Sequence, residues 1–97
     1  MINILVTIEV KNFTLLADFE SKAVQIMQSH GGSMIRAFES QRNEDGSGQE
    51  VHLLEFPSES AFVDYRSDPR LLEYAELRDR AISSTVVIKS SQVKSYI

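Results

Sequence analysis

Apolar and polar positions alternate along the first ten residues of the chain. One side of residues 2–10 is apolar and holds Ile2, Ile4, Val6, Ile8 and Val10. A period of two with β-branched residues is typical of a β-strand. From Leu15 to His30 the apolar residues recur every three or four positions, which predicts an amphipathic helix. Asn12 or Thr14 is expected to cap this helix, and the two glycines after His30 are expected to end it.

Two more strand-like segments follow, at residues 33–42 and 49–56, and a polar turn joins them. The turn contains Asp45-Gly46, which favours a two-residue type I′ hairpin because both of its central residues need positive φ. The sequence therefore predicts an antiparallel pair of strands in the middle of the chain.

A second helical region is expected after this hairpin. Ser58 is its predicted cap, and Asp68-Pro69 predicts a break at which a second helical segment starts, because proline suits the first helical position. The inner face of that segment is expected to hold Leu71, Leu72, Ala75, Arg78 and Ile82. Ser83-Ser84 is expected to close it, and the last strand is predicted from Thr85 to about Val93.

The resulting order is strand, helix, strand, strand, helix, strand. This order predicts an α+β, ferredoxin-like βαββαβ fold, in which two helices cover one face of a four-stranded antiparallel sheet. A chain of 97 residues and 11.0 kDa suits one domain over residues 1–97.

The face of the sheet away from the helices is predicted to be apolar. Leu5 lies opposite the main apolar row of its strand, Leu53 and Leu54 are adjacent, and residues 86–88 are all aliphatic. Monomers rarely expose a clustered apolar face, so we expect a two-fold homodimer that buries it. The alternative is a monomer with a thinly apolar open face.

A two-residue turn at Asp45-Gly46 also predicts the register of the hairpin. The expected partners are Arg42 with Gln49, Glu39 with His52, Phe38 with Leu53, and Arg36 with Glu55. The helix side then receives Ile35, Ala37, Leu54 and Phe56. The open side receives Met34, Arg36, Phe38, Val51, Leu53 and Glu55. An odd number of loop residues would move the side chains of one strand to the opposite face of the sheet relative to the other strand.

The Arg36–Glu55 pair is the first candidate site, because a charge pair among apolar neighbours is costly to desolvate. It is expected either to bind a ligand, with Arg36 holding an anionic group, or to form a salt bridge at a dimer interface. His52 is a candidate general base beside Glu39, and Tyr65, near the helix break, is a second candidate for handling a proton in a pocket between sheet and helix. The alternatives are a partly solvated cross-strand pair of His52 with Glu39, and a Tyr65 at the rim of the fold with its hydroxyl in water.

Composition narrows the classes of function. The chain has 14 acidic and 10 basic residues, and its net charge of -4 argues against nucleic-acid binding. It has no cysteine, and its two histidines lack ligand spacing, so no metal site is expected. No dinucleotide-binding, P-loop or nucleophile-elbow motif is present, and no cofactor is expected. Without a membrane segment or signal peptide, we expect a cytoplasmic protein.

Several motifs resemble the small dimeric α/β-barrel proteins, and in particular an uncharacterised bacterial family of that superfamily. They are His30-Gly31-Gly32, Arg36, residues 53–58 (LLEFPS), Phe62, Asp68-Pro69, Leu72 and Arg78. Fold relatives include antibiotic-biosynthesis monooxygenase-like, EthD-like and muconolactone isomerase-like proteins. The resemblance implies a two-fold dimer and a small-molecule cavity between sheet and helices. It differs after Arg36, where the family commonly has two small residues and this chain has Ala37-Phe38.

Two hypotheses follow for function. The first is a protein that binds a small apolar or anionic organic molecule in a sheet–helix cavity, as a cofactor-independent monooxygenase or isomerase. Arg36, His52, Glu55 and Tyr65 are its candidate ligand-binding residues. The second is a non-catalytic homodimeric binding or interaction module, in which Arg36 and Glu55 form an interface salt bridge.

Overall fold

A computed structural model describes residues 1–96 of the chain; Ile97, the last residue of the predicted domain, lies outside the described residues. The elements alternate as the sequence predicts, with the second helical region divided into three short helices. In chain order they are β1 (Ile2–Val10), α1 (Phe13–Ser29), β2 (Ser33–Arg42), β3 (Gly48–Phe56), α2 (Glu59–Arg66), α3 (Pro69–Leu72), α4 (Ala75–Ala81) and β4 (Ile82–Ser90).

The four strands form one antiparallel sheet in the order β2-β3-β1-β4. Buried side chains of β1 and β3, such as Ile4 and Phe56, face α1 and α2. A second part of the core packs Ile8 and Val10 against Leu16 and Phe19 of α1. This is the predicted ferredoxin-like α+β fold.

Local capping explains where the helices begin. Asn12, one of the two predicted caps, accepts a hydrogen bond through Oδ1 from the Leu15 N–H at 3.0 Å. Ser58 Oγ accepts from the Ala61 N–H at 3.1 Å, as predicted. Asp68 caps α3 by accepting from the Arg70 N–H at 2.8 Å. Each carboxyl, amide or hydroxyl oxygen satisfies a donor that the first helical turn leaves unpaired.

The predicted end of the second helical region was wrong. The helix breaks again at Tyr74, and α4 ends at Ala81, before the serine pair that was expected to close it. Ile82 begins β4 instead of belonging to the helix, and that strand ends at Ser90. The Lys11 N–H donates to the Ala81 carbonyl at 2.8 Å, so a contact with the end of β1 fixes this junction.

The predicted hairpin register was also wrong. The loop contains five residues, because the Asn43 N–H donates to the Ser47 carbonyl at 2.8 Å. Arg36 therefore lies opposite Leu53. The remaining observed partners are Ala37 with His52, Phe38 with Val51, Glu39 with Glu50, and Ser33 with Glu55. The predicted Arg36–Glu55 and Glu39–His52 cross-strand pairs do not form.

Two irregularities in β2 determine which of its side chains still lie on the predicted face of the sheet. A shift between Glu39 and Gln41 compensates for the odd loop, so Arg36 and Phe38 keep the open face that was predicted for them. A second shift between Met34 and Arg36 reverses the start of the strand. Met34 consequently packs against the core under the helices, and Ile35 is 48% exposed, the opposite of the prediction for both residues.

The face of the sheet away from the helices carries a cluster of apolar side chains, as predicted, together with Arg36 and Glu55. Phe38, Val86 and Ile88 are more than half exposed, and Leu5 and Leu53 on the central strands are partly exposed. No helix of residues 1–96 is long and apolar enough to cross a membrane.

Candidate functional site

A cavity of about 380 Å³ lies between the helix side of the sheet and the helices. Its floor is formed by side chains of β1, β3 and β4, including Val6, Leu54 and Val87. Its walls come from α1 and from the three short helices. Leu72 and Ala75 on α3 and α4 line the cavity and are themselves exposed, so the cavity opens between these two helices.

The walls are mostly apolar, and one wall is aromatic. Phe62 and Tyr65 line the cavity from α2. Both rings pack on Phe56, with ring centroids 5.3 and 5.5 Å from its own. Because α2 places these residues three apart, they face the same side of the helix. The cavity thus offers an aromatic wall against which an organic ring can pack.

His52 lies in the floor of this cavity and is only 3% exposed. Its Nε2 is 2.5 Å from Glu50 Oε2, on the same face of β3. Its Nδ1 faces α1, where Glu20 Oε1 is 4.0 Å away. The imidazole is therefore held between two carboxyl groups, as a histidine that serves in proton transfer commonly is.

Glu20 and Tyr65 line the same end of the cavity as His52. Burial raises the pKa of Glu20, and the nearby His52 charge opposes that rise. Burial also holds the pKa of Tyr65 well above its usual range, with a further contribution from the negative charge of Glu20. Tyr65 therefore stays protonated, while Glu20 is shifted toward the pKa that suits a general base near neutral pH.

The structure brings together two of the four residues selected from the sequence. His52 and Tyr65 both line the cavity. Arg36 and Glu55 lie on the opposite face of the sheet, and neither lines the cavity. Arg36 and Glu55 form no ion pair with each other within residues 1–96.

Three further polar residues of this region were missed by the sequence reasoning. Glu20 and Glu50 resembled ordinary acidic residues on solvent faces. Arg78 was noted for its place on a helix face and among the motifs of the family resemblance, but not as a site residue. All three lie at or beside the polar end of the cavity. The i, i+2 spacing of Glu50 and His52 could have indicated that the two share a face of one strand.

His30 belongs to a separate cluster. Its Nε2 is 2.7 Å from Asp68 Oδ2, and Arg70 donates to both oxygens of the same carboxyl group, through Nε at 3.1 Å and Nη2 at 2.8 Å. These bonds hold the pKa of Asp68 well below its usual range, chiefly through Arg70 and then through His30. The cluster joins the end of α1 to the start of α3 beside the cavity mouth.

No group of three or more histidine, aspartate or glutamate side chains among residues 1–96 is arranged to hold a metal ion.

Comparison with known proteins supplies the family. Residues 3–91 match the family described as "Domain of unknown function (DUF1330)". The chain belongs to this family. A comparison with curated proteins finds no match. The family's lack of an assigned function agrees with the resemblance to an uncharacterised family that the sequence motifs indicated.

Solved structures with the same fold include a protein of unknown function from Rhodopseudomonas palustris, with 18% identity and a TM-score of 0.77 over 97% of this chain and 83% of the other. SnoaB, a cofactor-independent oxygenase from Streptomyces nogalater, has 8% identity and a TM-score of 0.70 over 98% and 95% of the two chains. An antibiotic biosynthesis monooxygenase has 11% identity and a TM-score of 0.66 over 97% and 100%. At these identities the likeness establishes the fold, and it confirms the predicted likeness in fold to antibiotic-biosynthesis monooxygenase-like proteins.

Proposed function

We propose that this protein binds a small, largely apolar organic molecule in the sheet–helix cavity and removes a proton from it, as the first step of a cofactor-independent oxygenation or isomerisation. The observation that supports the proposal is the convergence of Glu20, His52 and Tyr65 on one mostly apolar cavity. A concave site of a few hundred Å³ with a few converging polar groups is the usual form of a small-molecule site.

Each polar group has a role in this proposal. Glu20, as a carboxylate, accepts the proton from an acidic C–H or O–H bond of the ligand. His52 lies beside Glu20 and is held in place by Glu50, so in its protonated form its positive charge stabilises the Glu20 carboxylate before the transfer. Tyr65 remains protonated and donates a hydrogen bond to a ligand oxygen. The ring of the ligand packs against Phe62.

The fold is compatible with this chemistry but is not by itself evidence for it, because one fold serves many functions. SnoaB shows that a protein of this fold is a cofactor-independent oxygenase. For the present chain, the proposal depends on the groups that line its own cavity.

Binding in the cavity is tested with N-phenyl-1-naphthylamine, an uncharged fluorescent aromatic amine, and by native mass spectrometry for any retained molecule. Ala75 is an exposed residue at the cavity mouth, so Ala75→Trp is expected to fill the entrance without disturbing the core. Ala17→Trp, at an exposed position of α1 outside the cavity lining, is the matched control. We expect Ala75→Trp to abolish probe binding and Ala17→Trp to leave it intact. Equal binding by both variants would contradict the proposed site.

Proton removal is tested with 2-indanone, an apolar bicyclic ketone with acidic C–H bonds, in deuterated buffer. We expect the wild-type protein to accelerate deuterium incorporation, observed by proton NMR, and Glu20→Gln to lose the acceleration. Glu76→Gln, an exposed position on α4, is the matched control and should behave as wild type. If 2-indanone binds but exchanges no faster than in buffer, proton removal is contradicted and a binding function is favoured.

The second candidate function is a non-catalytic homodimeric module, and the open apolar face of the sheet favours the dimer on which it depends. Phe38, Val86 and Ile88 are 52%, 59% and 56% exposed on that one face. Each large aliphatic or aromatic side chain left in water forgoes roughly 1.5–3 kcal/mol of burial, so a second copy that covers the face is favoured. The homodimer is part of either function, and Arg36 and Glu55 lie where the copies would meet. Native mass spectrometry measures its mass directly, and a stable monomer would contradict it.

A further inference from the structure

Arg78 differs from the other cationic side chains of the chain in its position and its surroundings. It is partly buried on α4 and lines the cavity. Several other cations are paired with an acidic group: Lys22 with Asp18, Arg42 with Glu39, Arg70 with Asp68, and Lys89 with Glu59. Arg78 takes part in none of the ion pairs formed within residues 1–96. Its guanidinium therefore has no salt-bridge partner among residues 1–96.

The guanidinium of Arg78 acts on the polar end of the cavity. Burial raises the pKa of both Glu20 and Tyr65, and the positive charge of Arg78 opposes the rise in both. In the part of the chain that the structure describes, no side-chain nitrogen or oxygen is both buried and unbonded. An Arg78 nitrogen without a protein partner must therefore reach open space, and Arg78 lines the cavity.

Two other charged residues of the lining, Asp79 and Arg66, are exposed to solvent. The guanidinium of Arg66 lies over the Phe62 ring, 5.5 Å from the centroid. Its positive charge opposes the rise in the pKa of Tyr65, as that of Arg78 does, but it does not act on Glu20. Arg78 is consequently the partly buried cation that a ligand oxygen beside Glu20 and Tyr65 would meet.

We infer that Arg78 is the anion-recognition residue of this cavity and that the ligand is an organic acid, bound with its anionic oxygen on the Arg78 guanidinium and its apolar part against the aromatic wall. The planar fork of a guanidinium fits a carboxylate or enolate oxygen, with charge-assisted hydrogen bonds. The inference rests on the proposed function, because it names the ligand class of the same cavity. It also moves to Arg78 the role that the sequence suggested for Arg36.

The proton and the charge balance in this arrangement. When a neutral acid enters, its C–H or O–H bond breaks and an O–H bond forms on Glu20. The negative charge passes from Glu20 to the ligand oxygen, and the total charge of the cavity does not change. Because burial disfavours the Glu20 carboxylate, Glu20 binds the proton more tightly than an exposed glutamate would, and the ligand anion that forms lies beside Arg78.

Two fluorescent probes of nearly the same shape test the inference. They are 8-anilinonaphthalene-1-sulfonate, which is anionic, and N-phenyl-1-naphthylamine, which lacks the sulfonate. We expect Arg78→Gln to weaken binding of the anionic probe by roughly tenfold or more and to leave binding of the neutral probe unchanged. Arg78→Lys should retain part of the preference for the anion. Arg80→Gln, at an exposed position of the same helix, is the matched control and should bind both probes as wild type.

The outcomes separate this inference from the function on which it rests. If Arg78→Gln binds the anionic probe as wild type does, or weakens both probes equally, anion recognition by Arg78 is overturned while the cavity remains a binding site. If wild-type protein binds neither probe, or if Ala75→Trp binds both as wild type does, the proposed binding function itself fails, and the inference fails with it.

Discussion

The imidazole of His52 bridges two carboxyl groups that come from different elements. Its Nε2 is 2.5 Å from Glu50 Oε2 on β3, and its Nδ1 is 4.0 Å from Glu20 Oε1 on α1. The short contact with Glu50 fixes the orientation of the ring. The longer contact with Glu20 leaves that carboxyl group free to meet a ligand in the cavity.

This arrangement predicts the tautomer of His52. Because Nε2 faces the Glu50 carboxylate, we expect it to bear the proton in the neutral ring and Nδ1 to be the acceptor. Nitrogen-15 NMR of labelled protein distinguishes the two tautomers. Glu50→Ala should increase the population of the other tautomer. Glu55→Ala, on the opposite face of the same strand, should not, and a protonated Nδ1 in the neutral wild-type ring would contradict the prediction.

Glu20 is expected to lower stability at neutral pH. Because burial raises its pKa, the folded protein binds this proton more tightly than the unfolded chain does, and the free energy of unfolding falls as pH rises through the usual glutamate range toward the raised value. Glu20→Gln should therefore be more stable than wild type at about pH 8, and this gain in stability should be smaller in acid. Urea unfolding measures the difference. Glu76→Gln serves as the exposed control, and a Glu20→Gln variant that is less stable at both pH values would refute the expectation.

The contribution of Asp68 to stability is expected to depend on pH in the opposite sense to that of Glu20. Hydrogen bonds from Arg70 and then His30 hold its pKa below the usual range, so its contribution is complete above the pKa of an unfolded aspartate and is lost as pH falls toward the lowered value. Asp68→Asn should lower the melting temperature at neutral pH and flatten the loss of stability in acid. Asp64→Asn, at an exposed position of α2, should change neither. Parallel acid-sensitivity curves for wild type and Asp68→Asn would disprove the assignment.

Gly32 is required by close packing. A Cβ at this position would lie 2.4 Å from Phe56 Cε1 and 2.8 Å from Met27 Cγ, and the Phe56 side chain is fully buried. We expect Gly32→Ala to destabilise the protein by about 1–3 kcal/mol in urea unfolding, because the ring cannot move aside freely. Gly46→Ala has open space and only a positive φ of 88°, so a loss of about 1 kcal/mol is expected. If Gly32→Ala leaves the free energy of unfolding unchanged, the Phe56 ring can move aside and the expectation is wrong.

The proposed dimer predicts unequal effects of two charged substitutions. Phe38 on the open face and Val63 on α2 are both 52% exposed, so lysine is equally accessible to water at either position in the monomer. Phe38→Lys places a charge in the proposed interface and should shift the mass measured by light scattering toward the monomer. Val63→Lys should not. If both variants retain the wild-type mass, the open face is not the interface.

Much of the fold could be predicted because period and capping are local properties. The alternation of residues 2–10 and the helical spacing after Asn12 each require only nearby residues, and both elements form as predicted. The open face was also predictable, since adjacent apolar residues such as Leu53 and Leu54 must point to opposite sides of a strand. Phe38 reached the predicted face even though its cross-strand partner was wrong.

The prediction of the hairpin register was wrong because the sequence offers no local preference there. Both neighbours of Arg36 are apolar, so nothing in the pattern marks the shift between Met34 and Arg36. The five-residue loop competes with a two-residue turn that the Asp45-Gly46 pair favours equally well on local grounds. The choice between them depends on how the whole hairpin packs against β1 and the helices, which lies beyond any local pattern.

The sequence by itself determined the order of the elements, their caps, and the apolar character of both faces of the sheet, because each follows from the spacing of neighbouring residues. The tertiary structure alone decided the site. Glu20, His52, Tyr65 and Arg78 come from α1, β3, α2 and α4, and they converge because the three short helices lie over the sheet and leave a cavity. Side-chain spacing fixes a residue's face within its own element, whereas the distance between elements depends on how their surfaces pack.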